Sequence, residues 1–180
     1  CSSDLIPVHV RPEGLSPDSI YLIPLRIKSV SAYEINTDKR TVLYRVLLKN
    51  DYAFQSPVTT YQTRGLEEHF DAEKGKDIRK SFSLTRYVLP LTKNSIRCFV
   101  GLNSYDASKL TKADIRKYAM CITINEDATL TITPMGTAQI EMLDKAGESN
   151  YYTTYEKNNG KYQAFYLNYR YRLLKDGKDG

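Results

Sequence analysis

The chain has no tryptophan and only two histidines, and each scarcity closes a route to function. His9 and His69 lie sixty residues apart. Neither has a second His or a Cys at metal-ligand spacing, so no metal site is expected. No apolar run approaches the roughly 20 residues that a membrane-spanning helix needs. The nucleophile elbow GxSxG, the phosphate-binding Walker loop and a dinucleotide fingerprint following a strand are all missing. The acids fall chiefly in turns (Asp51, Asp71, Asp77, Asp106, Asp127, Asp144). No pair can be assigned the two-carboxylate geometry of glycoside hydrolysis. Only Glu67, Glu68 and His69 cluster, and neighbouring carboxylates on a strand would point to opposite faces. That stretch reads as a solvated loop. The expectation is a protein that is not an enzyme and carries no cofactor.

What is present is mostly tyrosine, 15 of the 180 residues. Tyrosine suits half-buried strands, where the ring packs while the hydroxyl stays wet. It also stacks on sugar rings and on peptides. The formal charge is +5, but the basic residues are scattered among acids. Nucleic-acid binders instead gather Lys and Arg on one face, so no nucleic-acid partner is expected. The run Lys74 to Lys80 contains Asp77 and reads as another solvated loop.

Of the three cysteines, Cys1 is followed by Ser2, Ser3 and Asp4. A cysteine with small polar residues behind it is what lipoprotein signal peptidase leaves, and its thiol and amine would carry acyl chains. Lipidation of Cys1 is therefore expected, and with it a membrane-tethered soluble domain. Cys98 and Cys121 fall in two predicted strands that could be neighbours in a meander. A disulfide suits an exported protein but needs the two Cβ atoms face to face. Two buried free thiols are the preferred reading.

Strand signals recur along the chain. TVLYRVLLKN (41–50) is rich in β-branched and aromatic residues and ends at the turn-forming Asn50-Asp51. VTTYQTRG, SFSLTRYVLPL, SIRCFVGL, YAMCITIN, ATLTITPM and AQIEMLDK follow, each closed by Gly, Pro, Asn or Asp. The clearest pattern is YQAFYLNYRYRL (162–173). It places Phe165, Leu167, Tyr169, Tyr171 and Leu173 on one face and Asn168, Arg170 and Arg172 on the other. Turns are signalled at Asn125-Glu126-Asp127 and at Asn158-Asn159-Gly160. One helix is expected within 108–119, with Thr111 or Ser108 as its N-cap.

The fold predicted from these signals is all-β. Residues 1–53 form short N-terminal strands of an Ig-like or β-sandwich type. Residues 54–174 form an antiparallel up-and-down, lipocalin-like β-barrel of about eight strands with one short helix, a sandwich being the alternative. Residues 175–180 form a polar, Gly-rich tail expected to be disordered.

The block VRPEGLSPDSIYLIPLRIKSVSAYEINTDKRTVLYRVLLKNDYA (10–53) carries a resemblance through Pro12 to Leu15, Pro17, Asp18, Tyr21, Ile23 to Leu25 and Ile27. Ile35-Asn36, Lys49-Asn50 and Tyr52-Ala53 continue it. The tyrosine hairpin NYYTTYEKNNGKYQAFYLNYRY (150–171) adds a second match. Together they resemble a family of Bacteroidetes surface lipoproteins encoded beside SusC/SusD-type nutrient importers. In longer relatives further strands precede the first block, which here begins almost at Cys1. The resemblance implies a lipid-anchored protein of the outer membrane, on the cell surface or on the periplasmic side, with a SusC/SusD-like importer complex as partner. It transfers no catalytic residue.

The function expected is a non-catalytic accessory protein of nutrient import, binding oligosaccharide or, second, oligopeptide. Tyr151, Tyr155, Tyr162, Tyr166, Asn168 and Arg170 are the candidate ligand surface, through ring stacking and side-chain hydrogen bonds. A structural or interaction subunit without a small ligand is the alternative. A small hydrolase and a barrel holding an apolar ligand are weaker ones.

Overall fold

The computed structural model describes residues 9–103, 110–143 and 150–173. Cys1, the Ser108 cap candidate and the tail 175–180 lie outside the described residues.

Among the described residues the chain is all-β with one helix, 54% strand against 5% helix, and its antiparallel sheet curls into a half-barrel. The two N-terminal strands, β1 (Tyr21–Arg26) and β2 (Thr41–Val46), pair with each other in a two-stranded sheet. Five strands then pair in simple succession. They are β3 (Thr59–Asp71), β4 (Lys76–Thr92), β5 (Ser95–Phe99), β6 (Ala119–Ile124) and β7 (Leu130–Pro134). This is the up-and-down order expected from short turns between strands. The segment around Glu67 and the run from Lys76 to Lys80, read above as loops, are strand. They pair residue for residue in the long β3–β4 hairpin, with Glu67 opposite Lys80 and Glu68 opposite Arg79. Their polarity misled because both faces of this distal arm are largely exposed.

The core is written across three strands. Ile96, Ile122 and Ile132 stand side by side in register, and Cys98 faces Met120 in the next row. All are buried. Tyr152, Phe165, Leu167, Tyr169, Tyr171 and Leu173 pack against this layer. The face predicted for 162–173 is therefore the face that reaches the core. The single strand predicted there is two. Strand β10 (Gly160–Tyr166) pairs with β9 (Tyr151–Lys157), whereas β11 (Tyr169–Arg172) pairs with β8 (Gln139–Met142). At the break, the Asn150 side chain replaces a strand partner. It accepts from Asn168 N at 2.6 Å and donates to Asn168 O at 3.0 Å. A period-two pattern reports which face is inward and is blind to a change of partner, so the break left no trace in it.

The helix α1 (Lys112–Tyr118) starts where the cap was expected. Thr111 accepts from Asp114 N, and Asp114 returns a bond to Thr111 N, a full capping box. The last hairpin turns on Asn158 and Asn159, both at positive φ, with Gly160 already paired to Lys157. Two asparagines thus supply the left-handed pair that the Asn-Gly signal had assigned one position later.

Cys98 and Cys121 are free thiols on adjacent strands. Cys98 faces Met120 while Cys121 faces Arg97, so they occupy opposite faces of the sheet. That explains why no disulfide joins them. Cys98 is buried and Cys121 partly exposed. Burial pushes the Cys98 thiol up to about 11.

The N-terminal segment is tied to the outer face of β5. Arg97, only 3% exposed, grips both carboxylate oxygens of Asp18, with Nη2 at 2.6 Å from Oδ1. Gln55 Nε2 donates to Pro17 O at 2.7 Å and to Ser19 O at 3.2 Å. The Pro17-Asp18 segment is therefore a docking device.

Candidate functional site

The hairpin β9–β10 sorts its side chains by strand alternation. Tyr152 and Phe165, opposite one another, point into the core. Gln163, on the same side, lies 2.7 Å from the Tyr61 hydroxyl and donates to Asp51 O at 2.8 Å. Burial of the Tyr61 ring raises its hydroxyl to about 12, with help from Tyr152. This inner face fixes the hairpin against the body.

The outer face carries Tyr151, Thr153, Tyr155 and Lys157 opposite Tyr166, Ala164, Tyr162 and Gly160. Tyr151 stacks on Tyr166 with centroids 4.5 Å apart and planes at 11°. Tyr155 stacks on Tyr162 at 5.5 Å and 16°. All four rings are exposed, Tyr151 at 37% and Tyr166 at 50%. The two stacks are four residues apart, about 13 Å along the strand. Between them lie only the small side chains of Thr153 and Ala164. The result is a rigid aromatic ladder with a shallow gap, able to offer ring faces and phenolic hydroxyls to a ligand.

The other two predicted site residues are not on this hairpin. Asn168 sits in the break after β10, its backbone held by Asn150. Arg170 lies on β11, where it approaches Glu141 at 3.5 Å across the strand pair, both side chains well exposed. The structure thus brings the four tyrosines together and sets Asn168 and Arg170 apart on another strand pair. Among the described residues no group of three or more His, Cys, Asp or Glu side chains could hold a metal ion.

Sequence reasoning overlooked two groupings. Glu67 accepts from the Tyr171 hydroxyl at 2.9 Å, and burial with this bond raises the Tyr171 pKa. Nearby, Arg86 donates to the carbonyls of Phe99 and Gly101, while Gly101 N donates to the Tyr169 hydroxyl at 3.1 Å. These polar side chains are mutually satisfied and close one end of the sheet. The second grouping joins the tyrosine ladder directly. An isolated bridge sets Thr129 opposite Tyr151, flanked by Leu130 N to Asn150 O at 3.0 Å and Tyr152 N to Ala128 O at 2.8 Å. Thr129 and Tyr151 therefore share a face in a closely spaced pair. The alternation Thr129, Thr131, Thr133 was visible in the sequence, but nothing local said which strand would lie beside it.

Comparison with known proteins is informative about fold. A family model described by the words "-like, C-terminal" matches residues 40–179. No curated protein matches the chain. Two crystal structures resemble it at 16% identity. One is a structural-genomics protein of unknown function from Bacteroides ovatus, with a TM-score of 0.61 over 94% of this chain and 55% of that one. The other is described as an auxiliary nutrient binding protein from Bacteroides thetaiotaomicron VPI-5482, with a TM-score of 0.54 over 93% of this chain and 56% of that one. The chain thus spans little more than half the length of either.

Proposed function

The chain belongs to the family of that C-terminal domain, matched over residues 40–179, and we propose that it serves as a non-catalytic accessory protein of nutrient uptake that binds oligosaccharide. The observation that carries this reading is the exposed ladder of two stacked tyrosine pairs. Aromatic side chains held rigid before a ligand arrives lose little entropy on binding and cover the apolar faces of sugar rings. The nutrient-binding description of the Bacteroides thetaiotaomicron neighbour supports the role. Acylation of Cys1 would hold the domain at the outer membrane beside a SusC/SusD-like importer. Tethering there raises the effective concentration of weak sites.

Two measurements test this. A glycan panel read by calorimetry should show binding that falls at least tenfold in a folded Tyr162→Ala/Tyr166→Ala variant, which removes one ring from each stack. That loss is about 1.4 kcal/mol or more, within the range of one aromatic contact pair and its buried area. Unchanged affinity would remove this surface from the reading. Affinity purification from detergent-solubilised outer membranes, followed by mass spectrometry, should recover importer subunits together with acylated Cys1. A protein recovered alone, with an unmodified Cys1, would overturn the anchored importer role.

A second reading, an interaction subunit without a small ligand, is favoured by the distal β3–β4 arm. Leu66 and Phe70 stand on one face of it, 57% and 65% exposed. Importer recovery without any glycan affinity would select it.

A further inference from the structure

We infer that the ligand surface does not end at the tyrosines but continues onto a pre-ordered threonine strip, Thr129 and Thr131 with Asn125, so that the site takes a linear, uncharged, polyhydroxylated oligomer. This rests on the proposed sugar-binding reading and specifies what that site accepts.

The continuity is geometric. Thr129 lies beside Tyr151 across the bridge between β7 and β9. Thr131 follows two residues further on the same exposed face. Because β7 runs antiparallel to β9, the threonines extend away from Tyr151 in the direction opposite to Tyr155. The Tyr155–Tyr162 stack, the Thr153–Ala164 gap, the Tyr151–Tyr166 stack and the threonines therefore fall along one line. From Tyr155 to the level of Thr131 is about six residues, roughly 20 Å. A single sugar ring cannot fill such a line, whereas an extended oligomer can.

The strip is also pre-set. Asn125 Nδ2 donates to Thr129 Oγ1 at 2.9 Å and to Thr131 Oγ1 at 3.1 Å. Thr129 Oγ1 donates in turn to Asp127 Oδ1 at 2.7 Å. Thr131 thereby accepts from Asn125, which leaves its own proton to be directed outward as a donor. Hydroxyls held in this way cost a ligand less to engage than free rotors do. Charge argues in the same direction. Among the described residues no ionised side chain lies between the two stacks; Lys157 stands beyond Tyr155 at the far end of this face, and beside the threonines lies the Asp127 carboxylate, which the Thr129 hydrogen bonds hold below the usual carboxylate range. An anionic chain would meet repulsion there, and a neutral one would not.

The test uses Thr131→Val and Thr129→Val, which keep the branched strand-favouring shape and remove the hydroxyl. The probes are neutral α-glucan, mannan and xylan oligomers from monosaccharide to long chains, with oligogalacturonate as the anionic probe. Wild-type affinity should rise with chain length for at least one neutral series and be absent for oligogalacturonate. Thr131→Val should weaken the longest bound oligomer about fivefold, one hydrogen bond's worth, and leave the shortest unaffected. Loss of binding in the Tyr162→Ala/Tyr166→Ala variant with no change in either valine variant would overturn the extension and leave the tyrosine site standing. Preference for the anionic series would overturn it as well. No binding to any probe would remove both the extension and the reading beneath it.

Discussion

Replacing Asp18 by alanine should lower the unfolding free energy by about 3 kcal/mol, because it leaves a buried guanidinium without its counter-ion. The Arg97 side chain is 3% exposed and lies on the outer face of a strand buried on both sides. Its charge was taken out of water on the strength of Asp18, which is itself 32% exposed. The two ends of the pair are therefore not equivalent. Removing the acid strands a charge in a place water does not reach. Removing both charges need not cost as much, since apolar groups of similar volume often replace a buried pair at little loss. An Asp18→Ala/Arg97→Met double variant should accordingly recover most of the stability lost by Asp18→Ala. Urea unfolding of the single and double variants measures this, and the single variant's melting temperature should drop by roughly 10 °C. If the double variant proves no more stable than the single one, the cost lies in docking of the Pro17-Asp18 turn and not in the stranded charge.

Asn150→Ala should cost somewhat less, about 2 kcal/mol, for a different reason. One neutral side chain satisfies both backbone groups of Asn168 at the point where the chain leaves β10 for β11. Asn150 is 6% exposed, so its loss removes a buried acceptor from Asn168 N at a cost of about 1–3 kcal/mol, while Asn168 O keeps its bond from Leu143 N at 3.0 Å. Asn150→Asp separates the two bonds. It keeps the acceptor for Asn168 N and loses the donor to Asn168 O, while burying a charge. Both substitutions should shift the urea midpoint with the slope unchanged, because the same surface is exposed on unfolding. A shift below about 0.5 kcal/mol in Asn150→Ala would mean that water takes over the clamp.

Much of this was legible from residue order. The alternation in 162–173 assigned Phe165, Leu167, Tyr169, Tyr171 and Leu173 to the core face, and they pack there. Of the six residues singled out as one candidate surface, Tyr151, Tyr155, Tyr162 and Tyr166 share an exposed face, while Asn168 and Arg170 lie off it. Thr111 was a cap candidate and is the cap. Alternation, turn chemistry and capping are each decided within a few residues, so a linear reading reaches them. It failed where polarity stood in for structure. The Glu67 and Lys76 regions look like loops because neither face of a projecting hairpin has to be apolar. Their strand character comes from thirteen backbone pairs between β3 and β4, to which side-chain hydropathy contributes little.

By itself, then, the sequence determined an all-β chain, the inward face of its last strands and, to within a residue, the turn of its last hairpin, because those follow from local sterics and a two-residue period. Only the tertiary structure decided that Arg97 would find Asp18, 79 residues away, that Asn150 would bridge a change of strand partner, and that Thr129 would lie beside Tyr151. Each of those contacts depends on which strands become neighbours. That choice is made by burying one common core of β5, β6 and β7 under the aromatic inner faces of β9, β10 and β11, and no short stretch of residues records it.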